Sequence, residues 1–297
     1  MNTNGGNIPI LFVSGRTLPE AWEKAILACW ENGVDIRTEY DRKDAQGSFI
    51  DPPSRDCTMM VEVREPFGEP RIHKNFPGGP EELEVYRQEV VEGIHDHWID
   101  ATDPDKWTYT YHERIFDYAP TENINDPKAP RLRAINQIDY VVNKAAAAGH
   151  SRRIQAVTWM PTADPQTEDP PCLQRLWFRL LPNEAGEPVL NLNTSWRSRD
   201  AYKAWFMNVY ALTDLQRIVA ERISKKINRP VRVGRYMDQS DSFHIYGSYF
   251  KDVLPELTKM KDGRYEDRSW PSDHPAFQML VEETREKLAK NRDYMRG

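Results

Sequence analysis

The chain has 297 residues and a formal net charge of −6, with 39% hydrophobic residues and nine Trp, enough to bury the core of one large domain or two small ones. The acidic balance argues against general nucleic-acid binding, and no window approaches the roughly 20 apolar residues that a bilayer span needs. Three widely spaced cysteines, Cys29, Cys57 and Cys172, make neither a disulfide framework nor a zinc cluster, and the start lacks a basic, then apolar, leader pattern. A cytoplasmic protein without metal, DNA or membrane partners is expected.

The first helix is predicted from Thr17, where Glu20 stands three residues after a Thr cap. Trp22, Ala25, Ile26, Cys29 and Trp30 recur at helical spacing, and Gly33 can close it. Residues 35–58 are polar and read as a long loop, followed by a short strand from Thr58 to Val63. A second helix is predicted over 81–99, with Leu83, Tyr86, Val90, Ile94 and Trp98 as its apolar stripe. The Pro- and Asp-rich stretch 117–133 reads as a surface excursion, and helical pattern resumes over 134–147. Strands follow at Ile154–Met160, Leu173–Leu181 and Val189–Trp196, the last two joined as a hairpin. A long helix over 200–226, a short strand over 243–249 and a charged amphipathic helix over 276–291 complete the chain. Helices and strands in irregular order imply an α+β fold, and no boundary divides residues 1–297 into more than one domain.

Cys172 alone decides nothing. A free cysteine is most often a small buried hydrophobe, and a nucleophilic one needs a cation or donor nearby. Its context is more specific. Ser151-Arg152-Arg153, Asp169-Pro170-Pro171-Cys172, Arg197-Ser198-Arg199-Asp200, Asn208 and His244-Ile245-Tyr246 occur in that order over about 100 residues. This series resembles the thymidylate synthase family, whose strings are S-R-R, P-P-C, R-S-x-D, an Asn eight residues after that Asp, and H-x-Y. The wider run of G-R-T-L-P-E-A-W-E, E-P-R-I-H and Y-T-Y-H-E-R looks like its archaeal-type branch.

The resemblance implies a mixed, largely antiparallel β-sheet covered by long helices, forming a two-fold dimer through the sheet. It implies that Cys172 attacks carbon 6 of the dUMP ring, so that carbon 5 captures one carbon from 5,10-methylenetetrahydrofolate or a methanopterin-like analogue. Arg197 would bind phosphate and lower the thiol pKa, with Ser198 beside it. Arg55 would add a phosphate contact from a mobile loop, and Arg152 and Arg153 would reach into the partner's site, where forked donors suit phosphate. Asn208 would read uracil, because its amide both accepts from a ring N–H and donates to a carbonyl. His244 and Tyr246 would hold the sugar 3′-hydroxyl, and Asp200 and Trp98 would lie near the folate. The general acid/base matches best at Glu82, with Glu81 and Glu84 as competitors. Tyr111, or Tyr109 in another register, would help to remove the carbon-5 proton.

The pattern departs on the folate side. Leu173 replaces the usual His, Trp177 replaces a Gln, and K-A-W-F-M-N replaces L-G-L-P-F-N. The chain closes on K-N-R-D-Y-M-R-G rather than an apolar tail. These departures leave a hydroxymethylase, which adds water and returns tetrahydrofolate, as the alternative chemistry. A catalytically silent nucleotide- or RNA-binding relative is the third reading.

Overall fold

The computed structural model describes residues 6–100, 103, 105–120, 130 and 132–296, with side chains through residue 290. Part of the stretch 117–133 therefore lies outside the described residues. The fold is α+β, built on a mixed sheet ordered β1-β3-β9-β7-β6-β5. Its strands are β1 (Ile10–Gly15), β3 (Ser54–Val63), β9 (Arg232–Ile245), β7 (Pro188–Trp196), β6 (Leu173–Pro182) and β5 (Gln155–Val157). Short β2 (Val34–Ile36) pairs with β3, and β8 (Arg199–Asp200) runs parallel to the end of β9. β1 on β3 and β7 on β9 are also parallel, whereas β3 on β9, β7 on β6 and β6 on β5 are antiparallel.

Helices cover one face. α1 (Leu18–Asn32) lies on β1 and β3, and α5 (Trp205–Ile227) lies on β7 and β9. α2 (Gly79–Glu92) packs on α5, and α7 (Pro275–Arg296) packs on α2. α3 (Tyr111–Phe116) and α4 (Gln137–Ala147) sit toward β5, and α6 (Phe250–Asp262) contacts α1. Trp22, Trp196, Trp205, Phe178, Phe206, Tyr236 and Phe243 are fully buried between sheet and helices. On the opposite face Ile10 and Phe12 are 79% and 64% exposed, with Met60 beside Phe12 in register. Among the described residues no helix is long and apolar enough to cross a membrane.

Several boundaries differ from the sequence reading, each for a local reason. The predicted 81–99 helix stops at Glu92, because Gly93 turns left-handed at φ 64° and its N–H closes on the Glu89 carbonyl. Trp98 thus sits in a separate short turn rather than on the helix stripe. The loop expected over 35–58 ends early, since Ser54 already begins β3. The 243–249 strand is only the end of the 14-residue β9. The expected strand 154–160 shortens to β5, and the expected helix over 200–226 begins at Trp205. Neither half of the capping box at Thr17 forms: Thr17 makes no side-chain cap bond, and the Glu20 carboxylate accepts from the Arg16 N–H at 2.5 Å rather than from that of Thr17. The hairpin β6–β7 is as expected, closed through Asn183 and Gly186 at φ 76°.

Candidate active site

Cys172 stands one residue before β6, after two prolines that have no N–H to offer the sheet. The hairpin brings Arg197 directly beside it: the Arg197 N–H donates to the Cys172 carbonyl at 2.9 Å. The Arg197 guanidinium folds back onto the Pro171 carbonyl at 3.1 Å and onto the Pro170 carbonyl. Burial pushes the Cys172 thiol up, Arg197 and Arg199 pull it down, Asp169 opposes them, and a Ser198 hydrogen bond favours the thiolate. Tyr111 fixes the other side. Its phenolic oxygen accepts from the Cys172 and Leu173 N–H groups at 3.2 and 3.1 Å. Both lone pairs are then engaged, which leaves the phenol proton to donate. Burial raises the Tyr111 pKa, so it stays protonated at neutral pH. Tyr109, the alternative, is 5.7 Å away ring to ring and is also raised by burial.

Asn208 faces the sheet from the second turn of α5 and is 5% exposed. Its Oδ1 accepts from Arg199 at 2.7 Å, and Arg199 also meets Asp238 at 2.5 Å and lies 3.5 Å over the Trp196 ring. That network turns the amide oxygen toward Arg199, and its NH2 has no hydrogen-bond partner among the described residues. Asp200 accepts from the Tyr202 and Lys203 N–H groups at 2.9 Å each, while burial raises its pKa. His244 lies across from Asp200 in the β8–β9 register and packs edge-on against Tyr246 at 4.5 Å. Burial lowers His244 to about 4 and raises Tyr246.

Other expected residues stand apart. Arg55 is a strand residue tied to the Trp30 carbonyl at 2.9 Å and to Asp35 at 2.8 Å, not a loop cation. Arg152 and Arg153 precede β5 at the sheet edge, and neither guanidinium has an ion-pair partner among the described residues. Together with Tyr140, Gln155 and Val157 they line a shallow hollow. Glu82 and Glu81 are exposed on the first turn of α2. Glu84 is buried, but Arg87 and Arg285 hold it at 2.7 and 2.9 Å.

The carboxylate of α2 that reaches a cleft is Glu89. It lines a space of about 350 Å³ with Trp107, Tyr109, Tyr111 and Asp169. His95 meets it at 3.0 Å and stacks on Trp98 with ring centroids 3.7 Å apart. Burial raises the Glu89 pKa, and His95 opposes that rise. One turn earlier on the same helix face, burial raises the Tyr86 pKa, with Tyr111, Arg199 and Cys172 close enough to act on it.

Residues 80–268 match the family model described as thymidylate synthase. The chain belongs to the thymidylate synthase family. It is 27% identical over 234 residues, 79% of this chain and 88% of the relative, to a protein of Methanococcoides burtonii named "Putative thymidylate synthase". Proteins of the same name from Methanosarcina acetivorans and Methanocaldococcus jannaschii are 26% and 25% identical over 83% and 84% of this chain and 94% and 99% of their own lengths. The family implies a methyltransferase that binds dUMP and a reduced folate. The aromatic walls of the cleft (Trp107, Tyr109, Tyr111) suit a flat pterin ring, and Glu89 and Asp169 offer acceptors for its N–H groups.

Sequence reading of this thymidylate synthase relative missed three residues around Cys172, namely Tyr86, Glu89 and Tyr40. Arg199 was one of several arginines that the sequence offered the thiol as a cation, but it occupies the variable x of R-S-x-D, so no motif singled it out. Tyr86 and Glu89 are spaced i, i+3 and share a face, but which face meets the cysteine depends on how α2 is rotated. Tyr40 lies in the loop before β3, its pKa raised by burial and then by Asp169, with Arg197 opposing. Its ring centroid is 6.2 Å from that of Tyr246.

Proposed function

We propose that the protein methylates dUMP to dTMP, with 5,10-methylenetetrahydrofolate or a related pterin as co-substrate, through a covalent Cys172–pyrimidine adduct. The observation that supports this most is the clasp on Cys172. Arg197 brackets it from the end of β7, Tyr111 holds its backbone from α3, and Ser198, next to Arg197, favours the thiolate.

In this mechanism the thiolate sulfur bonds to carbon 6 of the ring, and the carbon 5–carbon 6 electron pair moves toward carbon 5 and the carbonyl oxygen. Arg197, Arg199 and Ser198 favour the thiolate against burial. The Asn208 NH2 donates to the uracil carbonyl, and its oxygen takes the ring N–H on the lone pair Arg199 leaves open. Cytosine would present an amino group and a bare ring nitrogen to the same atoms, a mismatch that is costly when buried. The bound folate supplies the carbon and, in the synthase reaction, a hydride. Tyr111 stays protonated with both lone pairs engaged, so it serves removal of the carbon-5 proton by donating its O–H to the water or group that takes that proton, not by taking it itself. The exposure of Glu82 and its place beside Gly78 favour Glu89 for the acid/base role that the resemblance assigned to Glu82. Asp200 and Trp98 face the folate in this reading.

Phosphate binding falls to Arg197 and Ser198, joined by Arg152 and Arg153 from a second copy across the open sheet face. Arg55 joins them only by breaking its bonds to Trp30 and Asp35. Incubation with dUMP and methylenetetrahydrofolate should yield dTMP and dihydrofolate. Hydroxymethyl-dUMP with tetrahydrofolate would replace the synthase by the hydroxymethylase.

A further inference from the structure

A buried polar chain joins β3 to β9 at His244. Asp56 of β3 stands directly across from His244 of β9, and Ser242, two residues before His244, shares its side of the strand. The Ser242 hydroxyl donates to Asp56 Oδ2 at 2.6 Å and lies 3.1 Å from His244 Nδ1. Asp56 and His244 are 5% and 4% exposed, and His244 Nε2 is buried without a hydrogen-bond partner among the described residues.

Proton counting settles the direction of this chain. A serine hydroxyl has one proton, and an ionised carboxylate can only accept. With that proton committed to Asp56, the oxygen can only accept from His244, so Nδ1 must carry hydrogen. The ring is neutral, and its one proton is therefore on Nδ1. Nε2 is left as a bare acceptor.

We propose that Asp56 and Ser242 are positioning residues that lock His244 in its Nδ1–H tautomer, so that Nε2 accepts the hydrogen bond donated by a nucleotide 3′-hydroxyl. The proposal rests on the nucleotide reading above for the identity of the donor; the tautomer follows from the hydrogen-bond geometry together with the neutrality that burial imposes on the ring. Its chemical content is selectivity. An alcohol proton is recognised, whereas a ligand with a 3′-acceptor or a 3′-hydrogen leaves Nε2 buried and unsatisfied. In Asp56→Asn the side-chain amide can donate to Ser242, which frees the serine proton for Nδ1 and turns Nε2 into a donor.

Two measurements separate the claims. Nitrogen-15 NMR of histidine-labelled, ligand-free protein, with His244→Gln to assign the signal, should show Nδ1–H for His244 in the wild type and in Ser242→Thr. Asp56→Asn should shift it toward Nε2–H. Calorimetry with dUMP and with 2′,3′-dideoxyuridine monophosphate should then show roughly tenfold or greater preference for dUMP in the wild type. That preference should collapse toward unity in Asp56→Asn and Ser242→Ala, with dideoxy affinity unchanged as the check on folding. An Nε2–H tautomer in the wild type, or an undiminished preference in both variants, overturns the relay. Equal binding of both nucleotides by wild-type protein with the Nδ1–H tautomer overturns the sugar contact and the nucleotide reading behind it.

Discussion

At the residue scale, Cys172 and Asp56 carry opposite kinds of cost. The thiol is pushed up by burial and held back by Arg197 and Arg199, so its reactivity depends on keeping that arginine pair in place. Cys172→Ala should lower turnover by roughly 10⁴-fold or more, while dUMP affinity measured by calorimetry stays within about threefold. Unchanged turnover would remove the residue from the reaction. Asp56 is raised from 3.8 to about 6, chiefly by burial, with Ser242 opposing. Its folded pKa exceeds the unfolded one, so the folded state binds more protons between those values and loses stability as pH rises through them. The gap is worth up to about 3 kcal/mol. Asp56→Asn should therefore gain about 1–3 kcal/mol over the wild type in denaturant unfolding at pH 7.5, and much less at pH 4. A variant less stable at pH 7.5 than at pH 4, relative to wild type, would contradict the assigned charge.

At the scale of elements, the stop of α2 decides where the folate-side residues stand. Gly93 takes φ 64°, and a Cβ there would come within 2.3 Å of His112 Nδ1 and 2.6 Å of Asp96 Oδ2. Gly93→Ala should cost about 1–3 kcal/mol of stability and raise the folate KM more than the dUMP KM, since the displaced turn carries His95 and Trp98. Equal effects on both substrates would place that turn elsewhere in the site. The same element shows what was legible in the sequence. P-P-C, R-S-x-D and H-x-Y were readable because each is a local string at a strand end. The hairpin carrying Cys172 and Arg197 was readable from two apolar runs around a turn. The length of β9 was not, because Asp238 and Ser240 are polar yet wholly buried, serving Arg199 and each other rather than solvent. Glu89 was hidden because a helix pattern gives spacing, not the rotation that turns one carboxylate toward the cleft and leaves Glu82 in solvent.

For the whole molecule, the helices cover one face of the sheet and leave the other open. Ile10 and Phe12 stand exposed there, and Arg152 and Arg153, without an ion-pair partner among the described residues, sit at its β5 edge. A second copy across this face would bury the apolar residues and give both arginines a phosphate to bind. Sedimentation should report about twice 34.7 kDa, and Phe12→Asp should shift the protein to monomer with loss of turnover. Mixing Cys172→Ala subunits with Arg152→Ala/Arg153→Ala subunits should restore part of the activity that neither has alone, because one hybrid site regains both groups. A fully active monomer would refute the shared site.

What Cys172 does to dUMP is tested most directly by mass spectrometry of the nucleotide after incubation with dUMP and methylenetetrahydrofolate. A product heavier by one methylene unit, together with dihydrofolate, is predicted. A hydroxymethyl nucleotide with tetrahydrofolate, or dUMP returned unchanged, would contradict it.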